Sequence, residues 1–329
     1  MILLLLSLQG VFVIRWEITT PASIDLIINK CIENNLDAVV VQVYARGEAL
    51  VKNPYFPLFE ELRTDKNLLK LLIEKAGAYN IQVWAWVNLF YAWSQTDFPY
   101  GKGHITETHP EWFVVDKRGR RNIEMSVEEL KRRGLEGYFV SPFVDEYVKK
   151  VRDYMVFIQN NYHVHGFILD YVRYPGRYYS YEPYVYEYIK RYLYIDRNDS
   201  LLPFLGIDFR RIEKRIKIQR IAQVLMILKG RIYLPVLACV YQNPERARSE
   251  FYQDWPQWIK MGVVDGVIPM IYTRDVRLFE KRIIALKSYP IVPAIGVYLF
   301  KNSKGWKEEI KILKKHNINS FLLFSLNPL

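Results

Sequence analysis

Asp170 ends the apolar run Gly166-Phe167-Ile168-Leu169. A carboxylate at the end of such a run loses hydration, so it needs a partner or a task. Arg173 and Arg15 are the cations that could pair with it structurally. A task weighs more, because this carboxylate falls at a strand end. Two carboxyl groups astride a glycosidic bond can split it. One protonates the leaving oxygen, and the other attacks or activates water. Glu17 and Glu48 are the candidates for the second group, since each lies at another strand end. Glu48 has a competing structural role as a partner of Arg46 or Lys52, and either glutamate alone divides evenly between structure and chemistry. Asp275 reads as a solvated loop residue. Around Asp170 the strand ends supply Trp16, Trp84, Trp86, Trp93, Tyr171 and Tyr272 as platforms for the apolar face of a sugar. They also supply Arg15, Arg46, Asn88 and Arg173 as donors to hydroxyls or to the carboxylates. Any one of these aromatics alone is more often core than platform; several at one rim favour a carbohydrate.

These side chains need elements that bring them together. Short apolar runs alternate with amphipathic segments along the chain. Eight runs read as strands: Gly10–Ile18, Ala38–Tyr44, Ile81–Leu89, Gly166–Val172, Ile232–Tyr241, Val263–Tyr272, Ile291–Leu299 and Ile318–Leu326. Most are near-continuously apolar, as strands buried on both faces are. Helical patterns lie between them. Pro21 opens one, with Ile24, Ile27, Ile28, Cys31 and Ile32 on a single face before Asn34-Asn35 closes it. Others are expected over Leu68–Tyr79, Pro142–Tyr162, Phe209–Leu228, Gln253–Met261, Val276–Lys287 and Gly305–His316. Eight such alternations predict a (β/α)8 TIM barrel with long insertions after the third and fourth strands. Residues 1–329 are expected to form one domain. An open doubly wound sheet is the alternative, but the phosphate-binding glycines that often accompany it are missing. In a barrel, the C-terminal strand ends are where a site forms.

Composition narrows the classes. The chain has 329 residues, 46 Lys plus Arg against 35 Asp plus Glu, and a net charge of +11. It holds 25 Tyr, 17 Phe and 8 Trp. Half the residues are apolar, which excludes disorder and collagen-like sequence. Basic charge with many aromatics suits nucleic acid or sugar. The basic runs Lys131-Arg132-Arg133, Arg210-Arg211, Lys214-Arg215 and Lys314-Lys315 fall on helices, and no nucleic-acid motif is present, so no nucleic-acid partner is expected. Cys31 and Cys239 form no CxxC, the five histidines form no HExxH, and there is no Walker loop. His163 and His165 read as turn residues. No metal and no cofactor are therefore expected. Met1–Leu8 resembles part of a signal segment without a basic start, so residues 1–9 are a possible remnant of one. No other stretch is long and uncharged enough to span a membrane. A tyrosine cluster at 174, 178, 179, 181, 184, 186, 188, 192 and 194 follows the fourth strand. It reads as a self-packed cover of the barrel, with a substrate lid as the alternative.

These motifs together resemble the glycosyl hydrolase-like family 10. The match is carried by Val13-Ile14-Arg15-Trp16-Glu17, by Val41-Gln42-Val43-Tyr44-Ala45-Arg46-Gly47-Glu48-Ala49 and by Ala85-Trp86-Val87-Asn88. His104-Ile105, His109-Pro110-Glu111-Trp112 and Tyr138-Phe139-Val140-Ser141-Pro142 continue it. The most specific stretch is Gly166-Phe167-Ile168-Leu169-Asp170-Tyr171-Val172-Arg173-Tyr174-Pro175, followed by Asp254-Trp255 and Pro269-Met270-Ile271-Tyr272. The resemblance implies an exported bacterial barrel related to glycoside hydrolases, with a carbohydrate substrate such as peptidoglycan glycan strands. It also implies association with the cell envelope, while the incomplete N-terminal signal leaves a cytoplasmic location open. The family commonly has Asp at Glu48. It has His at Trp84, at Gly77 and at Ile168. Those departures motivate an alternative, a glycan-binding barrel without catalysis.

Overall fold

The computed structural model describes residues 8–95, 97–99, 103–192 and 209–327. Its centre is a closed barrel of eight parallel strands. They are β1 (Gln9–Val13), β2 (Ala38–Ala45), β3 (Gln82–Asn88), β4 (Gly166–Asp170), β5 (Val236–Tyr241), β6 (Gly266–Ile271), β7 (Ala294–Gly296) and β8 (Phe321–Phe324). Each pairs with its neighbours in sequence, and β8 returns to β1 through Gln9↔Phe321, Gly10↔Leu322 and Val11↔Leu323. The predicted barrel is therefore the observed one.

Alternate residues point inward and stack in layers, as the two-residue period of a strand requires. The β3–β4 register shows the layers: Trp84 lies opposite Gly166, Trp86 opposite Ile168, and Asn88 opposite Asp170. Trp84 fills the layer two below Asn88. A Cβ on Gly166 would lie 2.3 Å from its ring, so glycine is what admits the indole. Above it Phe12 meets Trp86 edge-on, with ring centroids 4.9 Å apart. The barrel is thus plugged by side chains up to the layer of Asn88 and Asp170.

The outer helices take the expected places with shifted ends. Helix Pro21–Glu33 is capped by Thr20, whose Oγ1 accepts from Ser23 N, and it buries Ile24, Ile27, Ile28 and Cys31. Ile32, expected on that face, is exposed: it comes one residue after Cys31, about 100° round the helix. Helices Leu68–Gly77, Asp145–Asn161, Phe209–Lys229, Trp255–Lys260, Val276–Leu286 and Ser303–Lys315 follow. Helix Pro244–Phe251 was not expected from the apolar pattern, because only Ala247 of its residues is fully buried. Every strand but β2 is shorter than predicted. The chain leaves β1 and β7 into single 3-10 turns, Arg15–Glu17 and Val297–Leu299, and β8 stops at Phe324.

The insertion after β3 contains a small antiparallel pair, Tyr91–Trp93 with Tyr138–Phe139. The insertion after β4 contains helix Pro183–Tyr192, which packs Val185 and Ile189 against Ile216. In the tyrosine cluster, Tyr174 and Tyr179 are buried, while Tyr178, Tyr184 and Tyr186 are exposed. The side chain of Tyr192, residue Tyr194, and most of the candidate signal remnant lie outside the described residues. Among the described residues no helix is long and apolar enough to cross a membrane.

Candidate active site at the mouth of the barrel

A cavity of about 520 Å³ opens at the C-terminal strand ends. Of the residues expected there, Arg15, Trp16, Trp86, Asn88, Asp170, Tyr171, Arg173 and Tyr272 line it. Glu17, Glu48, Arg46, Trp84 and Trp93 do not.

Asp170 ends β4. Its Oδ1 accepts from Tyr171 N at 2.7 Å, and Tyr171 holds a left-handed backbone with φ of 52°. That conformation is costly for a residue with a Cβ and is held by the surroundings. Neither Arg173 nor Arg15 forms an ion pair with Asp170: Arg173 pairs with Glu136 and Arg15 with Glu61. Burial pushes the Asp170 carboxyl from 3.8 up to about 6. The Tyr171 amide and the nearby Arg173 charge oppose the rise, and Glu136 adds to it. A carboxyl held in that range can keep and deliver a proton near neutrality.

Two neighbours present unmet hydrogen-bonding capacity. Trp86 is buried and its Nε1 has no bonded partner, although it lies close enough to favour the Asp170 charge. Asn88, one layer up on β3, leaves Oδ1 unpartnered. Such orphans are costly in an ordinary core, and here a polar ligand would satisfy them. Arg15 is braced by Glu61 at 2.8 Å, lies 4.6 Å over the ring of Trp16, and leaves that ring half exposed. Tyr272 lies stacked against Phe324 across the opening.

The residues outside the cavity have other duties. Glu17 is turned aside by the 3-10 turn: Oε2 accepts from Ile14 N at 2.7 Å and Oε1 from Asn327 N at 2.9 Å. Burial raises its carboxyl above the ordinary range against those two amides. Arg46 and Gly47 both hold positive φ, at 54° and 74°, and reverse the chain so that Glu48 starts a two-residue antiparallel strand. Glu48 becomes fully buried beside Arg46, whose Nη2 reaches Glu48, Glu60 and Glu61 within 3.3 Å. Burial pushes Glu48 up to about 7, with Arg46 pulling the other way. Trp93 stacks under Arg46 at 4.3 Å, and its Nε1 donates to Asp97.

Glu136 also lines the cavity and was not among the expected residues. It sits in the insertion between Leu135 and Gly137, a basic stretch without strand or helix period. Ile14, Gln42, Tyr91, Ser94, Tyr241, Gln242, Met270 and Phe324 complete the wall.

The family model for glycosyl hydrolase-like 10 matches residues 10–289. No curated protein matches the chain. The catalytic domain of β-amylase from Paenibacillus polymyxa is similar in structure, with a TM-score of 0.61 at 10% identity, covering 98% of this chain and 94% of that one. An α-L-fucosidase isoenzyme 2 from Paenibacillus thiaminolyticus gives a TM-score of 0.58 at 15% identity, covering 97% of this chain and 46% of the fucosidase. At these identities the likeness concerns the barrel fold.

Proposed function

Because the chain belongs to the glycosyl hydrolase-like 10 family, we propose that it hydrolyses glycosidic bonds of a poly- or oligosaccharide in the cavity around Asp170. One observation carries the reading. A half-buried carboxyl without an ion pair among the described residues lines a cavity beside the Trp86 indole, which favours its charge, and Asn88, whose Oδ1 has no partner. A structural aspartate would have a counter-charge built in; this one has neutral donors and open space for a ligand. Asp170 delivers the proton to the leaving oxygen. Trp16 and Tyr272 offer ring faces, and Arg15 and Asn88 offer polar contacts. Peptidoglycan glycan strands are our first substrate, on the family's implication, with the cell envelope as the place of work.

The alternative of a glycan-binding barrel without catalysis rested on missing histidines. Trp84 and Ile168 lie in the plug beneath the cavity, and Gly77 ends helix Leu68–Gly77 with nothing within 4 Å of a Cβ. None of the three lines the cavity, so the departures leave the wall intact.

The test is Asp170→Asn against wild type, assayed by release of reducing ends from peptide-free peptidoglycan strands and a panel of plant and bacterial oligosaccharides. Turnover should fall by about 10³-fold, in line with loss of a general acid, without a lower melting temperature. A variant that keeps its turnover but melts early would make Asp170 structural. Saturable binding without turnover by the wild type across the panel would favour the binding barrel.

A further inference from the structure

The geometry points to Glu136 as the second carboxylate of the reaction, the base that activates water opposite Asp170. This rests on the glycoside hydrolase reading of the cavity. Asp170 and Glu136 are the two carboxylates among the described residues that line it.

Glu136 reaches the rim through the backbone of the insertion. Beyond β3, Leu89 N donates to Asp170 O at 2.8 Å, which ties this exit to β4. The chain then forms Tyr91–Trp93, and Tyr138–Phe139 pairs with it antiparallel through Tyr91↔Phe139. Gly137 is pressed against that strand so closely that a Cβ would lie 2.2 Å from the Trp93 carbonyl oxygen. Tyr91 Oη donates to the Glu136 carbonyl at 3.4 Å. The main chain of residue 136 is therefore fixed against the same strand that leads out of the barrel wall.

The side chain is fixed from the other side. Glu136 Oε2 accepts from Arg173 Nη2 at 3.0 Å. Arg173 is buried, and its guanidinium is boxed by Tyr171, Phe251, Phe139 and Tyr241 at 5.0–5.4 Å. Its Nη1 is spent on the Tyr174 carbonyl. The cation cannot swing to Asp170 without leaving this box. Arg173 thus acts as a positioning residue that keeps the two carboxylates on separate partners. Glu136 Oε1 has no protein partner among the described residues, and the side chain is 49% exposed. A water has access to it.

The step balances as a single displacement. Asp170 gives its proton to the glycosidic oxygen, which departs with the electron pair of the C1–O bond. Glu136 takes a proton from one water, whose oxygen supplies the pair for the new C1–O bond. Each product carries a hydroxyl, one water is consumed, and the proton on Glu136 returns to Asp170 through solvent. A single displacement of this kind inverts the anomeric centre, an outcome that goes with carboxyl groups roughly 6.5–9.5 Å apart.

Three variants separate the roles: Asp170→Asn, Glu136→Ala and Glu136→Gln, each checked to melt no lower than wild type. On 2,4-dinitrophenyl glycosides of the sugar the enzyme cleaves, the leaving group needs no proton, so Asp170→Asn should recover most of its loss. Glu136→Ala should stay about 10³-fold down on both substrates and be restored by azide, giving an inverted glycosyl azide. Glu136→Ala within tenfold of wild type, or retained configuration in the wild-type product, overturns the assignment while leaving Asp170 as the acid. If the wild type turns over nothing, the hydrolase reading has failed. The pairing is then still read from carboxyl NMR: Glu136→Gln should lower the Asp170 titration point, and an unmoved point overturns it.

Discussion

A carboxyl held at about 6 serves as an acid only while it keeps its proton. The rate should therefore fall as pH rises through that value, tenfold per unit beyond it, in a kcat/KM profile. The same shift predicts a stability signature. The unfolded chain releases this proton near 3.8 and the folded chain near 6, so stability declines across that window and levels off above it. Asp170→Asn should therefore melt higher than wild type at pH 7 and alike near pH 3.5, read by thermal melts at the two pH values. A site carboxylate costs the fold something that the fold does not recover until a ligand binds. Asp170 was legible because a lone acid ends an apolar run. Glu136 was not, since an acid in a basic insertion looks solvated, and only the pairing of Tyr91–Trp93 with Tyr138–Phe139 brings it to the rim.

At the scale of elements, strands were readable where both faces are buried and the run stays apolar. Their ends were not, because a turn depends on backbone dihedrals more than on hydrophobicity. That is why two strand-end glutamates went astray. The 3-10 turn after β1 carries Glu17 sideways, and the positive φ of Arg46 and Gly47 folds Glu48 inward. Trp84 has the inward parity of Trp86, but depth along the strand is not written in parity. Helix Ser303–Lys315 holds a further polar residue that local pattern would not place. Glu309 lies fully buried, and neither of its carboxyl oxygens has a partner among the described residues. Burial pushes it from 4.5 up to about 8. The unfolded chain ionises first, so this helix loses stability as pH climbs from about 4.5 to about 8. Glu309→Gln keeps the shape and removes the ionisation. It should raise the melting temperature at pH 7 by at least about 2 °C, with no gain near pH 4, by differential scanning calorimetry.

For the whole molecule, the pairing of β8 with β1 closes the ring. Glu17 fastens it, since one carboxylate binds the amide of Ile14 after β1 and that of Asn327 after β8. Glu17→Ala should cost about 1–3 kcal/mol in denaturant unfolding, the penalty for two orphaned amides, and leave kcat nearly unchanged. A large loss of kcat in a stably folded variant would return Glu17 to the chemistry. The basic run Lys314-Lys315 lies exposed at the end of helix Ser303–Lys315, and Lys131-Arg132-Arg133 lies exposed at the end of a short helix, Val127–Arg132, in the insertion after β3; none of these side chains lines the cavity.

The ring is also unevenly knitted. The β2–β3 seam registers from Ala38↔Gln82 through Tyr44↔Val87, and β3–β4 from Trp84↔Gly166 through Asn88↔Asp170. On the far side β6 and β7 register at Met270↔Ala294 and Ile271↔Ile295, with a separate bridge Val267↔Ile291 before β7 begins. Asn88 and Asp170 thus end strands with long continuous registers, whereas Tyr272 and Phe324 leave strands with shorter ones. Backbone amides of β7 should exchange with solvent faster than those of β3, read by hydrogen-exchange mass spectrometry.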